Sequence, residues 1–282
     1  MRRRQRDGAR RHRRIQPART PLSKRRLALL TTAAVTGAAL VITAVASRRE
    51  ERAIPLEAST GVVFGSSAGP VELVPGVSSS LTYRASWLAR GPQLSMLPAG
   101  PGSAVGAAAG TAGSTSASAS PVVELDLDCP SRWPCRASSA LVVPTGLAVE
   151  ATTEAGPVTV GAVDAAVRIR ATDRHEVIVG PMRGTLDVAT DGGDIVGTGL
   201  AATRVEVRTV DGEIELVFRE RPERVDVVAG AGPVTIELPP GRYAVSVEGS
   251  QSADIDVSRD EAAASRIIVE GRGPIRILET TP

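Results

Sequence analysis

From Gly156 to Pro282 the chain repeats itself every 18 to 21 residues, and that period limits the fold more tightly than any single residue does. A glycine or its stand-in opens a short alternating segment at Gly156, His175, Gly193, Gly212, Gly232, Ala253 and Gly273, and the second residue after each is Val or Ile. A second row of apolar centres keeps the same beat at Val149, Ile169, Val188, Val207, Val227, Val247 and then Ile268 or Val269. Each unit reads as strand, tight turn, strand, corner. Val205 and Val207 point inward while Glu206 and Arg208 point outward, the two-residue period of a half-buried strand. Such a unit cannot bury its apolar face without its neighbours. The expected fold is therefore all-β, a β-solenoid or rolled β-sheet of about 20-residue rungs, preceded by a single N-terminal transmembrane helix. A sandwich built from hairpins stays open, since roughly 8 to 12 residues between strands suits it as well. In the turns Thr190-Asp191-Gly192-Gly193 and Val210-Asp211-Gly212, glycine is expected to supply positive φ and aspartate to bond the local backbone.

The transmembrane helix is read from charge. Residues 1–26 hold twelve Arg or Lys and one acid, Asp7. Residues 27–46 hold no charge at all, and at 1.5 Å per residue a twenty-residue helix spans about 30 Å, the hydrocarbon thickness of a bilayer. The residues after 46 carry 21 of the 33 bases and 30 of the 31 acids, net −9. The asymmetry places the basic end in the cytoplasm and the remainder outside. Residues 27–46 read as an uncleaved signal anchor, with secretion after cleavage near Ala46 as the alternative, because Ala44-Val45-Ala46 fits a small-residue cleavage site. The basic tail sets topology and attracts anionic headgroups. Without aromatic interleaving or a recognition motif it gives no reading for nucleic acid.

Five segments result: a basic cytoplasmic tail at 1–26, the anchor at 27–46, a membrane-proximal β segment at 47–98, an Ala/Gly/Ser low-complexity insertion at 99–120, and the repeat domain at 121–282. The insertion has too little apolar surface to fold. Cys129 and Cys135 are the only two cysteines. No further Cys or nearby His completes a four-ligand metal site, and a redox motif has two residues between its cysteines, not five, so they are expected to close a local disulfide outside the cell.

Cys129-Pro130, Val143-Pro144, the repeated Thr-x-x-Gly-x-Val/Ile turns at Thr190 to Ile195 and Thr209 to Ile214, then Leu238-Pro239-Pro240 and Tyr243 together resemble a bacterial adhesin-like family with β-strand repeats and no assigned function. The resemblance covers about residues 60–282 and implies an architecture and a cell-envelope setting. It implies no catalytic residue. The low-complexity insertion and His175 in a glycine position depart from the pattern.

Few residues invite chemistry. Gly65-Ser66-Ser67-Ala68-Gly69 matches a nucleophile elbow, but Pro70 and a strand-like run come where a helix is needed, so a turn is expected. His175 is the only histidine after residue 46 and occupies a turn anchor, so a turn role is expected there too. Trp133, inside the disulfide loop, is the candidate binding contact. Glu154, Asp173, Asp191 and Asp211 stand one or two positions before four consecutive anchors. Stacked at ~4.8 Å per strand they form a carboxylate column, to be solvated, countered by Arg170, Arg174 or Arg208, or occupied by calcium. Turn chemistry is the simpler reading of these acids, so no cofactor is assigned and calcium is the alternative. The functional expectation is a membrane-anchored envelope module for interaction or structure, without catalysis, whose partner is an envelope polymer or protein. The alternatives are a transmembrane sensor or regulator and an enzyme acting on polysaccharide.

Overall fold

The computed structural model describes residues 48–54, 61–77, 80–87, 92–98, 122–128, 137–172 and 174–280. The basic tail, the anchor, the low-complexity insertion, both cysteines, Trp133 and Asp173 lie outside the described residues. Within Ser47–Pro282, one compact unit, every regular element among the described residues is a strand. No helix of the described residues is long and apolar enough to cross a membrane.

The first strands in chain order are β1 (Arg48–Ile54), β2 (Gly61–Ser66), β3 (Val71–Gly76), β4 (Leu81–Trp87), β5 (Gln93–Pro98), β6 (Val122–Asp128) and β7 (Ala137–Pro144). Next come β8 (Ala148–Thr153), β9 (Val158–Val160), β10 (Val167–Ala171), β11 (Val177–Val179), β12 (Arg183–Thr190), β13 (Ile195–Thr209), β14 (Ile214–Phe218), β15 (Arg224–Ala229) and β16 (Val234–Leu238). The chain closes with β17 (Arg242–Glu248), β18 (Ala253–Asp256), β19 (Ser258–Arg259), β20 (Arg266–Gly271) and β21 (Ile275–Glu279).

Successive strands go to alternate ladders. β8, β10, β12, the second half of β13 and β15 lie side by side in one ladder, and every pairing is parallel. β9, β11, the first half of β13, β14 and β16 form the other, also parallel. β13 serves both, its pairing shifting between Gly197 and Leu200, where Gly199 takes a φ of 63°. Two-residue hairpins join antiparallel strands only, so a hairpin sandwich does not describe this stretch.

The inward rows match the repeat. Val158, Val177, Ile195, Ile214 and Val234 are ladder partners in turn, as are Ile169, Val188, Val207 and Val227. All nine are 2% exposed or less. Burying each such side chain contributes about 1.5–3 kcal/mol, which is how a core poor in aromatic residues holds. The chain's two Phe and two Tyr all join this core, as Phe64, Phe218, Tyr83 and Tyr243.

The Thr-x-x-Gly turns have a cause other than positive φ. Among the described residues the glycines with positive φ are Gly69, Gly146, Gly156, Gly184, Gly199 and Gly249, so of the five glycine anchors only Gly156 needs it. At Gly193 a Cβ would lie 1.8 Å from the carbonyl oxygen of His175, at Gly212 2.0 Å from that of Gly193, at Gly232 2.0 Å from that of Gly212, and at Gly273 2.2 Å from that of Gly232. Backbones of adjacent units meet there, leaving no room for a side chain. The buried threonines finish the turn: the Gly212 N–H donates to Thr209 Oγ1 at 3.1 Å, and Thr190 Oγ1 lies 3.0 Å from both Gly193 O and Thr209 Oγ1. Tyr243 has a similar local task, its hydroxyl donating to Pro239 O at 2.5 Å.

At both ends the spatial order departs from chain order. β2 lies between β6 and β8, and β3 between β7 and β9. β20 lies between β15 and β17, and β21 between β16 and β18. Val227 therefore stacks on Val269, not Val247, and Ile255 on Ile277. The shift puts Ala253 opposite Ile275, which is why the Ala253 anchor departs from the glycine pattern. Antiparallel strands cover the first end: β5 on β6, β4 on β7, and β1 on β4. β1 reads RREERAI and is largely exposed, a charged edge that discourages pairing with another chain.

Candidate functional site

The outward face of the ladder that holds β12 carries charge in rows, because a parallel register repeats each outward position in every strand. Arg168, Asp187, Glu206 and Asp226 are successive partners from β10 to β15. Beside this row, two residues earlier along β13, β15 and β20, stand Arg204, Arg224 and Arg266, again direct partners. Two residues after it stand Arg170 and Arg208. All of these but Arg266 line an open groove of about 900 Å³.

Each acid of the central row has its own arginine. Asp187 takes Arg168 Nε at 2.9 Å and Arg170 through both terminal nitrogens at 2.9 and 3.0 Å. Glu206 pairs with Arg208, and Asp226 accepts Arg224 Nε at 2.5 Å and Nη2 at 2.9 Å. Burial alone pushes the Asp187 carboxyl up, but the bonds and charges of Arg170 and Arg168 outweigh it and hold it below its ordinary value. The Arg170 guanidinium is held above its own by Asp187, and that of Arg224 by Asp226. Asp187, Arg170 and Arg224 are thus each held in the charged form by their partners, and this part of the face presents fixed ion pairs.

The acids singled out from sequence fall differently. Thr153, Ala171, Thr190 and Thr209 are ladder partners in turn. Glu154 and Asp191 each follow a member of that row by one residue, with Thr172 just past the end of β10 between them, so they stand two strands apart, about 10 Å at ~4.8 Å per strand. Asp211 follows Thr209 by two residues and has Arg174 at 4.0 Å, one of the counter-charges expected. Among the described residues no three His, Cys, Asp or Glu side chains come together in a way that could hold a metal. His175 sits in the stack of turn backbones, its carbonyl facing Gly193.

The elbow-like Gly65-Ser66-Ser67-Ala68-Gly69 ends β2 and turns directly into β3. Ser66 is buried and accepts from the Ala68 N–H at 3.4 Å, while Ser67 Oγ donates to Asp128 Oδ1 at 3.1 Å. Ser67 shares a hollow of about 350 Å³ with Glu124, Asp126, Asp128 and Glu154, an acidic surface. Among the described residues no imidazole lines it. Trp87 packs, half-buried, against the core.

The arginine row was not singled out from sequence, yet a signal exists. Arg204, Arg224 and Arg266 each stand three residues before an apolar centre, at Val207, Val227 and Val269. Reading outward positions as rows, like the inward ones, finds it.

No protein-family model matches the chain, and no curated protein does. Solved structures do resemble it. A candidate adhesin from Bacteroides fragilis is 10% identical with a TM-score of 0.45, covering 83% of this chain and 97% of its own. One from Parabacteroides merdae is 11% identical with a TM-score of 0.43, covering 83% and 96%. A candidate cell adhesion protein from Clostridium sporogenes is 10% identical with a TM-score of 0.35, covering 83% and 100%. These bacterial proteins are of the adhesin-like kind that the sequence motifs resemble.

Proposed function

We propose that the chain is a membrane-anchored envelope protein whose β-solenoid offers a long, regular surface to an extracellular partner and performs no catalysis. The observation that supports this reading is the register: one outward position recurs as a charged row through consecutive strands, from Arg168 through Asp187 and Glu206 to Asp226. A stack of such rows gives repeated, identically spaced contacts along one axis, the way repeat arrays bind extended partners. The alternation of strands between two parallel ladders is what a two-faced solenoid requires. Residues 27–46 anchor the array, with residues 1–26 inside.

The test has two parts. Full-length protein in detergent is presented with purified envelope polymers and surface proteins, and the reading expects saturable binding to at least one; none bound sinks it. Single cysteines at Ser23 and Ser250 are then labelled on intact cells with an impermeant thiol reagent. Label at position 250 and not at 23 is expected, and the reverse pattern overturns the topology.

A further inference from the structure

We propose that the row Arg204, Arg224 and Arg266 is a docking strip for a linear polymer bearing a carboxylate or phosphate on each repeat unit. The proposal rests on the adhesive reading and names the chemistry of its partner. The three residues are direct partners in β13, β15 and β20, and all three are exposed. Strands lie ~4.8 Å apart, so three guanidinium groups rise from one line along the axis of the array. Like charges directly opposite one another disfavour a sheet, so a row of this kind calls for compensation. Among the described residues only the middle member has it, in the two bonds from Arg224 to Asp226. Among the described residues neither Arg204 nor Arg266 has an ion pair.

The nearby acids are already committed. Asp187 is held by Arg168 and Arg170, and Glu206 by Arg208. The acid row is thus satisfied from its own face, while the arginine row keeps two unmet cations on either side of a satisfied one. Guanidinium presents a planar fork that matches carboxylate or phosphate oxygens and stays charged at any physiological pH. A small anion meets one such group. A polymer laid along the axis meets successive ones, and each contact raises the effective concentration of the next. The residues after position 46 carry net −9, so general attraction does not draw a polyanion to this part of the chain and the binding has to be local.

The experiment compares full-length protein with R204Q/R224Q/R266Q, both in detergent, titrated with polygalacturonate, with polyphosphate and with neutral dextran. The basic residues of 1–26 bind polyanion in both proteins, so the triple variant's isotherm measures the tail's share and the strip's binding is read after that share is subtracted from both. The expected result is that the unsubstituted protein binds at least one anionic polymer and not dextran, and that the triple variant binds about tenfold or more weakly at an unchanged melting temperature. The two anionic arms tell carboxylate from phosphate as the preferred group. Equal binding by the two proteins, or no polyanion bound by the unsubstituted one, overturns the proposal. Should the triple variant melt early, R204Q and R266Q singly decide it: a loss of about threefold in either is expected, and unchanged binding in both overturns it. A protein that still holds a purified envelope polymer with the row neutralised refutes the strip and leaves the adhesive reading standing. One that holds no envelope partner at all refutes that reading first.

Discussion

From β10 to β14 each strand lies beside the strand one unit earlier and one unit later, whereas at both ends the order is exchanged and the outermost unit is not the outermost in sequence. The middle solves repetition: the same side chain in the same place finds its copy above and below. The ends solve termination. A stack has two exposed edges, and here the first and last parallel units of the chain are placed one step inside, with strands bonded on both sides. What remains outermost is polar or charged, as in β1 and β18, or covered, as β6 and β7 are by β5 and β4. Nearest-neighbour additivity, the rule for repeat arrays, therefore holds for the middle. At the ends it has to be counted in spatial order.

The largest effects test that rule directly. Ile214→Asp, in the middle, and Ile277→Asp, in the last strand of the sequence, should both abolish cooperative thermal unfolding, each at a cost above about 4 kcal/mol, because both side chains are 0% exposed and the new charge has no partner. Chain order would make Ile277 the tolerant edge, so a mild Ile277→Asp melt breaks the account of the ends. Next comes a pair of neighbouring glycines. Gly193→Ala puts a Cβ within 1.8 Å of a carbonyl oxygen, while at Gly192 the nearest atom is the flexible Arg174 side chain at 3.2 Å. The first should cost about 2–3 kcal/mol in denaturant unfolding and the second under about 0.5. Ile255→Asp, at a half-buried position on the otherwise exposed, outermost β18, should cost only about 1 kcal/mol.

Acid provides a smaller effect. The Asp187 carboxyl is held below its ordinary value of 3.8, so its contribution to stability is complete above that pH, declines as pH falls past it, and is gone below the depressed folded value. Melting temperature tracked from pH 7 downward should therefore fall less for Asp187→Asn than for the unsubstituted protein below pH 4; parallel curves would remove Asp187 from the account. Smallest of all is Glu215→Lys, outward beside Val196 and Thr235, expected to change stability by less than about 0.5 kcal/mol.

The middle was legible because inward and outward positions alternate there without interruption. Val207 between Val188 and Val227, and Ile214 between Ile195 and Val234, are the neighbours that the period predicts. The ends were not legible, since periodicity reports that units stack and says nothing of which two are adjacent. Val247 keeps the beat yet pairs with Val269 alone, across β17 and β20. Glycine stands at these anchors for a reason that the sequence does not show. Sequence suggests backbone freedom, whereas Gly193, Gly212, Gly232 and Gly273 are needed for the absence of Cβ, which only the stacking of turns reveals. The acidic residues were counted from the anchors, but the register is set by the strands, and this separates Asp211 from the line of Glu154 and Asp191.

The exchanged order at the C-terminal end also decides how the molecule would yield to traction. β21 is bonded to β16 on one edge and β18 on the other, and β20 to β15 and β17. Tension applied at the C-terminus cannot peel a strand from a free margin one bond at a time; it has to slide β21 against two neighbours at once. Stretching the full chain with optical tweezers from its C-terminus should therefore show one high rupture there, where a stack in chain order would unravel in low, successive steps.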